Sequence, residues 1–486
     1  MFSILHISDL HRSRNEPIDN DSLIAALLAD RDRYMGETPI VPPPSAIVVS
    51  GDLVQGAQVA EAGWEDAIRD QFSVASSFLD QLTLRFLDGD RSRVIVVPGN
   101  HDVCWNTSFA AMERVDDANY PDDVRGALTA PDSNYRWSWK ERALYRICDA
   151  KLYRQRLHAY WEFVKTFYAG VALPKPIDPL RGYQLFELQD RRVVVAAFDS
   201  ITGNDCFGYS GAIPPGAVAR CSLDLRDIDH TYDLRVAVWH HSIHGPPTRD
   251  DYMDLSQVEE MVGLGFQLGM HGHQHVSATA THHVYLAESQ SMAVVSSGSL
   301  CAGARELPRG INRQYNMIVV EDGLQRGRVH VREMVEGGQF SRKGNGEFIE
   351  GSVAIGWQKS IDAMGHVVVA REENSKRAIL LAEQALMAGD ARIAIQLLHG
   401  VDLSPESYAR RIAIEAASDL KDWNFLVATI HEPLSTEEAV LLVSALIHTN
   451  AVERAETILK TNLQISPGTR SDLESLIETK RVLGGA

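Results

Sequence analysis

Cysteine is scarce in this chain of 486 residues: five, at Cys104, Cys148, Cys206, Cys221 and Cys301, with no CxxC pair. So odd and sparse a set makes no disulfide framework. Long apolar runs are also missing, and none approaches the roughly 20 residues a membrane-spanning helix needs. The opening MFSILHISDLH has neither a basic stretch nor an extended apolar one, so no signal peptide is expected there. The expectation is a cytoplasmic protein with no membrane partner. Basic residues are in deficit, with 47 Lys and Arg against 65 Asp and Glu and a formal net charge of −18. That balance repels polyanions and argues against non-specific coating of nucleic acid, although a local basic groove stays open.

What is present is globular. Hydrophobic residues make up 45% and charged residues 23%, enough to bury a sizeable core. The length implies two or three domains. Five short β-rich runs each end in Gly or a polar cluster: FSILHI (2–7) before SDLH, AIVVS (46–50) before GD, RVIVVP (93–98) before GNHD, RVAVW (235–239) before HHS, and FQLGM (266–270) before HGHQH. Between them, Trp64, Ile68, Phe72, Ala75, Leu79, Leu82 and Phe86 recur at helical steps. Strand, turn, helix, strand is α/β organisation, in which ligand sites gather at the carboxyl ends of strands. All five polar clusters lie at such ends.

The stretch 103–182 interrupts this rhythm and reads as an insertion, helical from about Trp137 to Phe167. Further β-like runs at 282–288, 292–297, 315–320 and 328–334 suggest a second sheet. The first domain is expected over 1–336, and the Gly-rich stretch within 337–372 reads as a linker. Residues 373–486 are rich in helix formers. Turn points at Gly389-Asp390, Asp422-Trp423 and Thr449-Asn450 recur about 30 residues apart, the spacing of tetratricopeptide-type helical hairpins. An irregular bundle would fit the composition as well.

The polar clusters supply Asp9 and His11, Asp52, Asn100 with His101 and Asp102, His240 with His241, and His273 with His275. Carboxylates, imidazoles and one amide oxygen suit borderline divalent metals such as Mn, Fe, Co, Ni or Zn. On extended backbone, residues two apart face the same side, so Asp9 with His11, and His273 with His275, can each converge on an ion. Asp52 can bridge two ions through its two oxygens. A pair of metals about 4 Å apart clamps an in-line displacement at phosphorus.

SDLH, SGD, PGNHD, HHS and HGHQH, in that order over roughly residues 1–335, resemble the calcineurin-like metallophosphoesterase superfamily. The resemblance implies a four-layer α/β/β/α sandwich, here with a separate all-α C-terminal domain, and two divalent metal ions. It assigns Asp9, His11, Asp52 and His275 to one metal and Asp52, Asn100, His240 and His273 to the other. His101 would contact the phosphate or protonate the leaving oxygen, with Asp102 orienting its ring. Between His240 and His241, family usage of the first histidine of such a pair favours His240. His244, His271, His282 and His283 read as neighbours of the site, Asp199 as structural, and Cys104 as a small buried group.

The motifs stand nearest the cyclic-nucleotide phosphodiesterase branch. The expected function is hydrolysis of a phosphodiester in a nucleotide-type substrate. Nuclease action on DNA or RNA is the alternative, followed by phosphoprotein phosphatase and non-catalytic scaffold. Segment 136–165 carries eight Lys or Arg against three Asp or Glu, interleaved with aromatics. It could stack a base over the site, or it is an amphipathic helix with a solvated basic face. A protein partner for the C-terminal helical region is a further expectation.

Overall fold

In this computed structural model the five runs before the polar clusters are strands. The residues described are 1–13, 18–129, 133–228, 230–243, 251–285, 289–303, 306–344, 348–357, 378–387, 389–398, 401–404, 407–461 and 465–484. The chain forms two compact units, Met1–Gln358 and Lys359–Ala486.

In the first unit, β1 (Phe2–Ile7), β2 (Ala46–Val49) and β3 (Val94–Val96) pair in parallel. α1 (Asn20–Tyr34) and α2 (Trp64–Leu87) are the helical connections between them. After β3 come α3 (Trp105–Ala110), β4 (Met112–Arg114), α4 (Val124–Thr129), β5 (Tyr135–Ser138), β6 (Ala143–Ile147), α5 (Ala150–Arg154) and α6 (His158–Phe167). Then follow β7 (Tyr183–Leu188), β8 (Val193–Phe198), α7 (Ala217–Arg226), β9 (Leu234–Val238), α8 (Leu255–Gly263), β10 (Leu268–His271), β11 (Ala278–Tyr285) and β12 (Ser289–Ser296). β13 (Gln314–Val320), β14 (Arg326–Met334), β15 (Phe340–Arg342) and β16 (Ser352–Gly356) complete the unit.

The strands make a seven-stranded sheet ordered β15-β14-β13-β1-β2-β3, with β16 also on β14, and a six-stranded sheet ordered β11-β12-β10-β9-β8-β7. Strand periodicity explains how the layers stack. Val193, Val195, Val236, Val238, Met270 and Val295 of the second sheet join the core of the first. Their alternates Val194, Ala196, Ala237, Trp239 and Val294 face the other way, onto Ala217, Cys221, Val258 and Met261 of α7 and α8. α1 and α2 contribute Leu23, Leu27, Phe72 and Leu79 to the first core. Two sheets with helices on the outer faces are the α/β/β/α layering expected.

Two sequence expectations are corrected. Segment 137–147 is not helical: β5 and β6 form a hairpin, with Trp137 opposite Leu144 and Ser138 opposite Ala143, in a three-stranded sheet with β4. Aromatic and basic residues three or four apart mimic a helical face, but the chain reverses at 139–142, with Arg142 at φ 52°. The helical part begins at α5. Residues 337–344 and 348–357 of the expected linker are not a tether, because β15 and β16 both pair with β14, and its remainder, 345–347 and 358–372, lies outside the described residues. Gly337, Gly338 and Gly351, at φ 84°, 73° and 77°, serve the tight turns at the ends of these strands.

The second unit is helical: α9 (378–387), α10 (Ala391–Leu397), α11 (Tyr408–Asp419), α12 (Trp423–Thr429), α13 (Thr436–His448), α14 (Val452–Thr461) and α15 (Pro467–Gly484). Ser407, Asp422 and Ser435 cap α11, α12 and α13 by accepting N–H bonds from the first turn. Gly389-Asp390 and Thr449-Asn450 fall between helices, with Gly389 and Asn450 at φ 84° and 61°, and Asp422-Trp423 is the cap and first residue of α12.

Candidate metal centre

The carboxyl ends of β1, β2, β3, β9 and β10 meet where the two sheets adjoin. Backbone bonds join the first two loops, from Asp9 N–H to Gly51 O (3.1 Å) and from His11 N–H to Asp52 O (2.9 Å). The first loop is held to the segment after β12 by Ser299 Oγ donating to Asp9 O at 2.7 Å and by Leu300 N–H donating to Ser8 O at 3.1 Å. Three motif glycines permit this closeness. A Cβ on Gly51 would strike the His240 ring, one on Gly99 the Asp52 carboxylate, and one on Gly272 the side chains of Ser8 and Asp9.

The expected ligands come together in two quartets. In the first, His275 Nε2 lies 3.3 Å from Asp9 Oδ1 and 3.3 Å from His11 Nε2, and His11 Nε2 is 3.9 Å from Asp52 Oδ2. In the second, His240 Nε2 is 3.2 Å from Asp52 Oδ2, 3.0 Å from Asn100 Oδ1 and 3.2 Å from His273 Nδ1, which is itself 3.0 Å from Asn100 Oδ1. The Oδ2 of Asp52 is therefore common to both. Its Oδ1 is occupied by the His101 N–H at 2.8 Å, so bridging would run through one oxygen rather than two.

The extended-backbone reasoning is also corrected. Asp9, His11, Asp52, His273 and His275 have φ of 51°, 45°, 52°, 76° and 57°, left-handed values that cost non-glycine residues of the order of 1 kcal/mol each. His273 and His275 face different quartets. Strain gathered on five clustered polar residues marks a site built for something other than stability.

The second nitrogens fix the ring orientations. His240 Nδ1 lies 2.8 Å from Ser50 O, His275 Nδ1 3.0 Å from Glu306 O, and His101 Nδ1 2.8 Å from Gln55 O. His273 Nε2 has Asp251 Oδ2 at 3.4 Å. His241 is engaged on both nitrogens, by Ser200 Oγ at 2.9 Å and Asn204 Oδ1 at 3.0 Å, and stands outside the quartets. Backbone carbonyls leave no trace in a sequence, so these partners were not foreseeable; Asn204 and Asp251 lie away from the motifs.

Asp102 does not orient His101. Its carboxylate accepts from the backbone N–H groups of Gly99 (2.8 Å), Leu53 (3.0 Å) and Val54 (3.2 Å), clamping the β2 and β3 loops to each other. Cys104 Sγ accepts from Thr107 Oγ1, and the Asp199 carboxylate accepts from the Ile201 N–H. His271 is buried with its ring against Trp239, and His282 lies on β11. His244 and the side chain of His283 lie outside the described residues. Two basic residues of the insertion turn inward: Arg136 pairs with buried Asp205 at 2.5 Å, and Arg156 donates to the carbonyls of Asn204 and Thr202, whereas Lys140, Arg142, Arg146, Lys151, Arg154 and Lys165 are exposed.

The electrostatics carry the mark of a buried charge cluster. Burial works to raise Asp52, yet the imidazoles of His240, His101 and His11 hold it well below its ordinary value. Asp9 is lowered too, against burial, by His275. Burial opposes a charge on His240, but Asp52 lifts it to about 9; His275 is raised by Asp9. Burial, with His101, lowers His11 to about 4. Burial and Asp52 push Asp102 up to about 7, against its N–H donors.

The donor set fits divalent cations. Metal–nitrogen and metal–oxygen bonds of about 2.0–2.2 Å put neighbouring ligand atoms roughly 3.0–3.4 Å apart, the range of most separations above. Without a shared cation, imidazole nitrogens 3.3 Å apart face each other with at most one proton between them. Atoms of Asp9, His11 and His275, of His11, Asp52 and His101, and of Asp9, Asp52 and His240 each lie mutually within 4.8 Å. A groove of about 740 Å³ beside α2, α3 and α6, lined by Trp64, Phe72, Ala159 and Phe163, contains none of these donors.

The chain resembles a dimetal phosphatase from Danio rerio at 12% identity and TM-score 0.39, over 74% of this chain and 99% of that one. A 5'-nucleotidase from Candida albicans SC5314 matches at 13% identity and TM-score 0.36, over 69% and 52%. Vps29 from Chaetomium thermophilum matches at 10% and 0.23, over 74% and 100%. No curated protein sequence matches. The family model for the calcineurin-like phosphoesterase spans residues 2–277, from β1 through the last of the clustered histidines. With that span matched and its motif residues gathered at one sheet edge, the chain belongs to the calcineurin-like phosphoesterase family.

Proposed function

We propose that this chain is a metal-dependent phosphoester hydrolase acting on a phosphodiester in a nucleotide-type substrate. The observation that carries the proposal is the convergence of two donor quartets on the single Oδ2 of Asp52. Asp9, His11, Asp52 and His275 would hold one cation, and Asp52, Asn100, His240 and His273 the other. Two such cations, when bound, supply Lewis-acid polarisation of the phosphoryl group and a water of lowered pKa.

The chain's own groups do the rest. With Nδ1 committed to Gln55 O, His101 has Nε2 available to hydrogen-bond the phosphoryl group or pass a proton to the leaving oxygen. Asp102 keeps its two loops in register for Asp52 and Asn100, a positioning role rather than a catalytic one. His241, held by Ser200 and Asn204, stiffens the wall behind His240.

Charge supports a diester over a polyanion. Beside His275 stands Glu306; burial works to raise it, but the Gly303 N–H and His11 hold it below its ordinary value, so it is ionised near neutral pH. Arg12, next to His11, points into the core, donating to Ile18 O and Asn20 Oδ1. Arg136 and Arg156 are likewise committed internally, while the other six basic side chains of 136–165 are exposed and keep the nuclease alternative open to the salt test below. The helical second unit is suited to recruiting a protein partner.

The test is hydrolysis of bis(4-nitrophenyl) phosphate with added Mn. Asp52→Ala and Asn100→Ala should each lower turnover by about a thousandfold or more. Full activity in both would refute the reading. Steep loss of substrate binding with salt would favour the nuclease alternative, because a long polyanion releases many counterions and a small nucleotide few.

A further inference from the structure

Beyond the donor quartets, a run of aromatic rings leads outward. The buried His11 ring meets His101 edge-on at 4.6 Å between centroids. Trp105 lies 5.9 Å beyond His101, and Tyr209 5.8 Å beyond Trp105, at interplanar angles of 42° and 59°. His11 is 2% exposed and Tyr209 40% exposed, so the run ends in solvent. Behind it, Phe109, Tyr145 and Phe207 pack on one another at 4.8–6.0 Å. Trp105 packs against that cluster, and Tyr209 is not among its members.

The backbone beneath both outer rings is fixed. Trp105 opens α3 directly after the NHD motif, where Cys104 N–H donates to Arg156 O at 2.8 Å. Tyr209 sits on a loop tied by Asn204 Nδ2 to Ser210 O at 2.6 Å, by Asn204 Oδ1 to His241, and by Gly211 N–H to Tyr252 O at 2.8 Å. The Tyr209 hydroxyl reaches Cys206 O at 3.4 Å. Rings held in this way bind a planar partner with little ordering cost.

We propose that Trp105 and Tyr209 form an aromatic shelf that receives the base of a nucleotide whose phosphate lies at the metal centre. The shelf starts one ring beyond His101, on the side where the phosphoryl group is handled in the reading above, on which this inference rests. Stacking on aromatic faces is indifferent to base identity because every base has a π-face. The shelf would therefore accept several nucleobases and disfavour esters whose outer group is aliphatic.

The test separates base from phosphate. AMP carries a base where ribose 5-phosphate carries an anomeric hydroxyl, and the two share the ribose and the phosphate. Binding of each to the full chain with Mn is measured by calorimetry, alongside hydrolysis of bis(4-nitrophenyl) phosphate. AMP should bind about tenfold or more tighter than ribose 5-phosphate. That ratio should collapse towards one in Tyr209→Ala, fall in Trp105→Leu, and survive in Tyr209→Phe, with melting temperatures confirming folded variants. AMP binding no better than ribose 5-phosphate, or not at all, overturns the shelf, as does an unchanged ratio in both Tyr209→Ala and Trp105→Leu. If the ratio behaves as expected but no ester is cleaved, the shelf stands and the hydrolase reading fails.

Discussion

Replacing Asp102 with alanine distinguishes a loop clamp from an orienting partner for His101. The Asp102 side chain is 3% exposed and accepts from three backbone N–H groups, those of Gly99, Leu53 and Val54. A buried donor left without its acceptor costs about 1–3 kcal/mol. Two offsets bring the sum to the low end: water can enter the vacated space, and the carboxylate, raised to about 7 by burial and Asp52, no longer has to be buried. A loss of about 3 kcal/mol is expected, lowering the melting temperature by roughly 5 °C or more. Gly99 and Leu53 flank Asn100 and Asp52, so bound metal should fall with stability. Thermal unfolding with and without Mn, together with metal content, provides the assay. An unchanged melting temperature and metal content, with turnover alone reduced, would refute the clamp and restore Asp102 as the partner of His101.

His240→Ala should remove one of two bound metals, because its Nε2 touches Asp52, Asn100 and His273. His241→Asn should keep both metals and reduce stability; equal metal loss in the two variants would contradict the assignment. Burial, with Arg328 next, lowers His330 on β14 to about 4. The folded state thus binds fewer protons than the unfolded one between about pH 6.5 and 4, and stability should decline as pH falls through that window, by up to about 3 kcal/mol from this group. In His330→Asn, urea unfolding at pH 7.5 and 5 should show a smaller difference than in the parent; an equal difference would exclude His330 as a source. Glu306→Gln should raise turnover of a dianionic aryl monoester about two- to fivefold more than that of a diester, since removing a screened charge near the site is worth about 0.5–1 kcal/mol. Equal effects on the two esters would remove the charge argument for a diester.

The parts of the molecule legible in the sequence were those written as residue type and period. FSILHI, AIVV and RVAV are fully or largely buried strands, and the polar residues after them are the converging donors. What stayed hidden was written in backbone geometry. The left-handed φ of Asp9, His11, Asp52, His273 and His275 comes from loops pinned to one another, as in the Asp9–Gly51 and His11–Asp52 bonds, and not from local preference. Asp102 beside His101 invited a ring-orienting role because adjacency in sequence was the only geometry available. β5 and β6 were masked because aromatics at helical spacing also suit a hairpin, and β15 and β16 because glycines that make turns resemble those of a tether.

The most direct test of the central claim is the metal stoichiometry of the full chain after Mn loading and exhaustive desalting, read by elemental mass spectrometry with the Asp52→Ala variant alongside. Two quartets sharing one carboxylate oxygen require about two ions per chain in the parent and fewer than about one in the variant. A parent that retains no ion, or a variant that retains as many as the parent, would contradict the account.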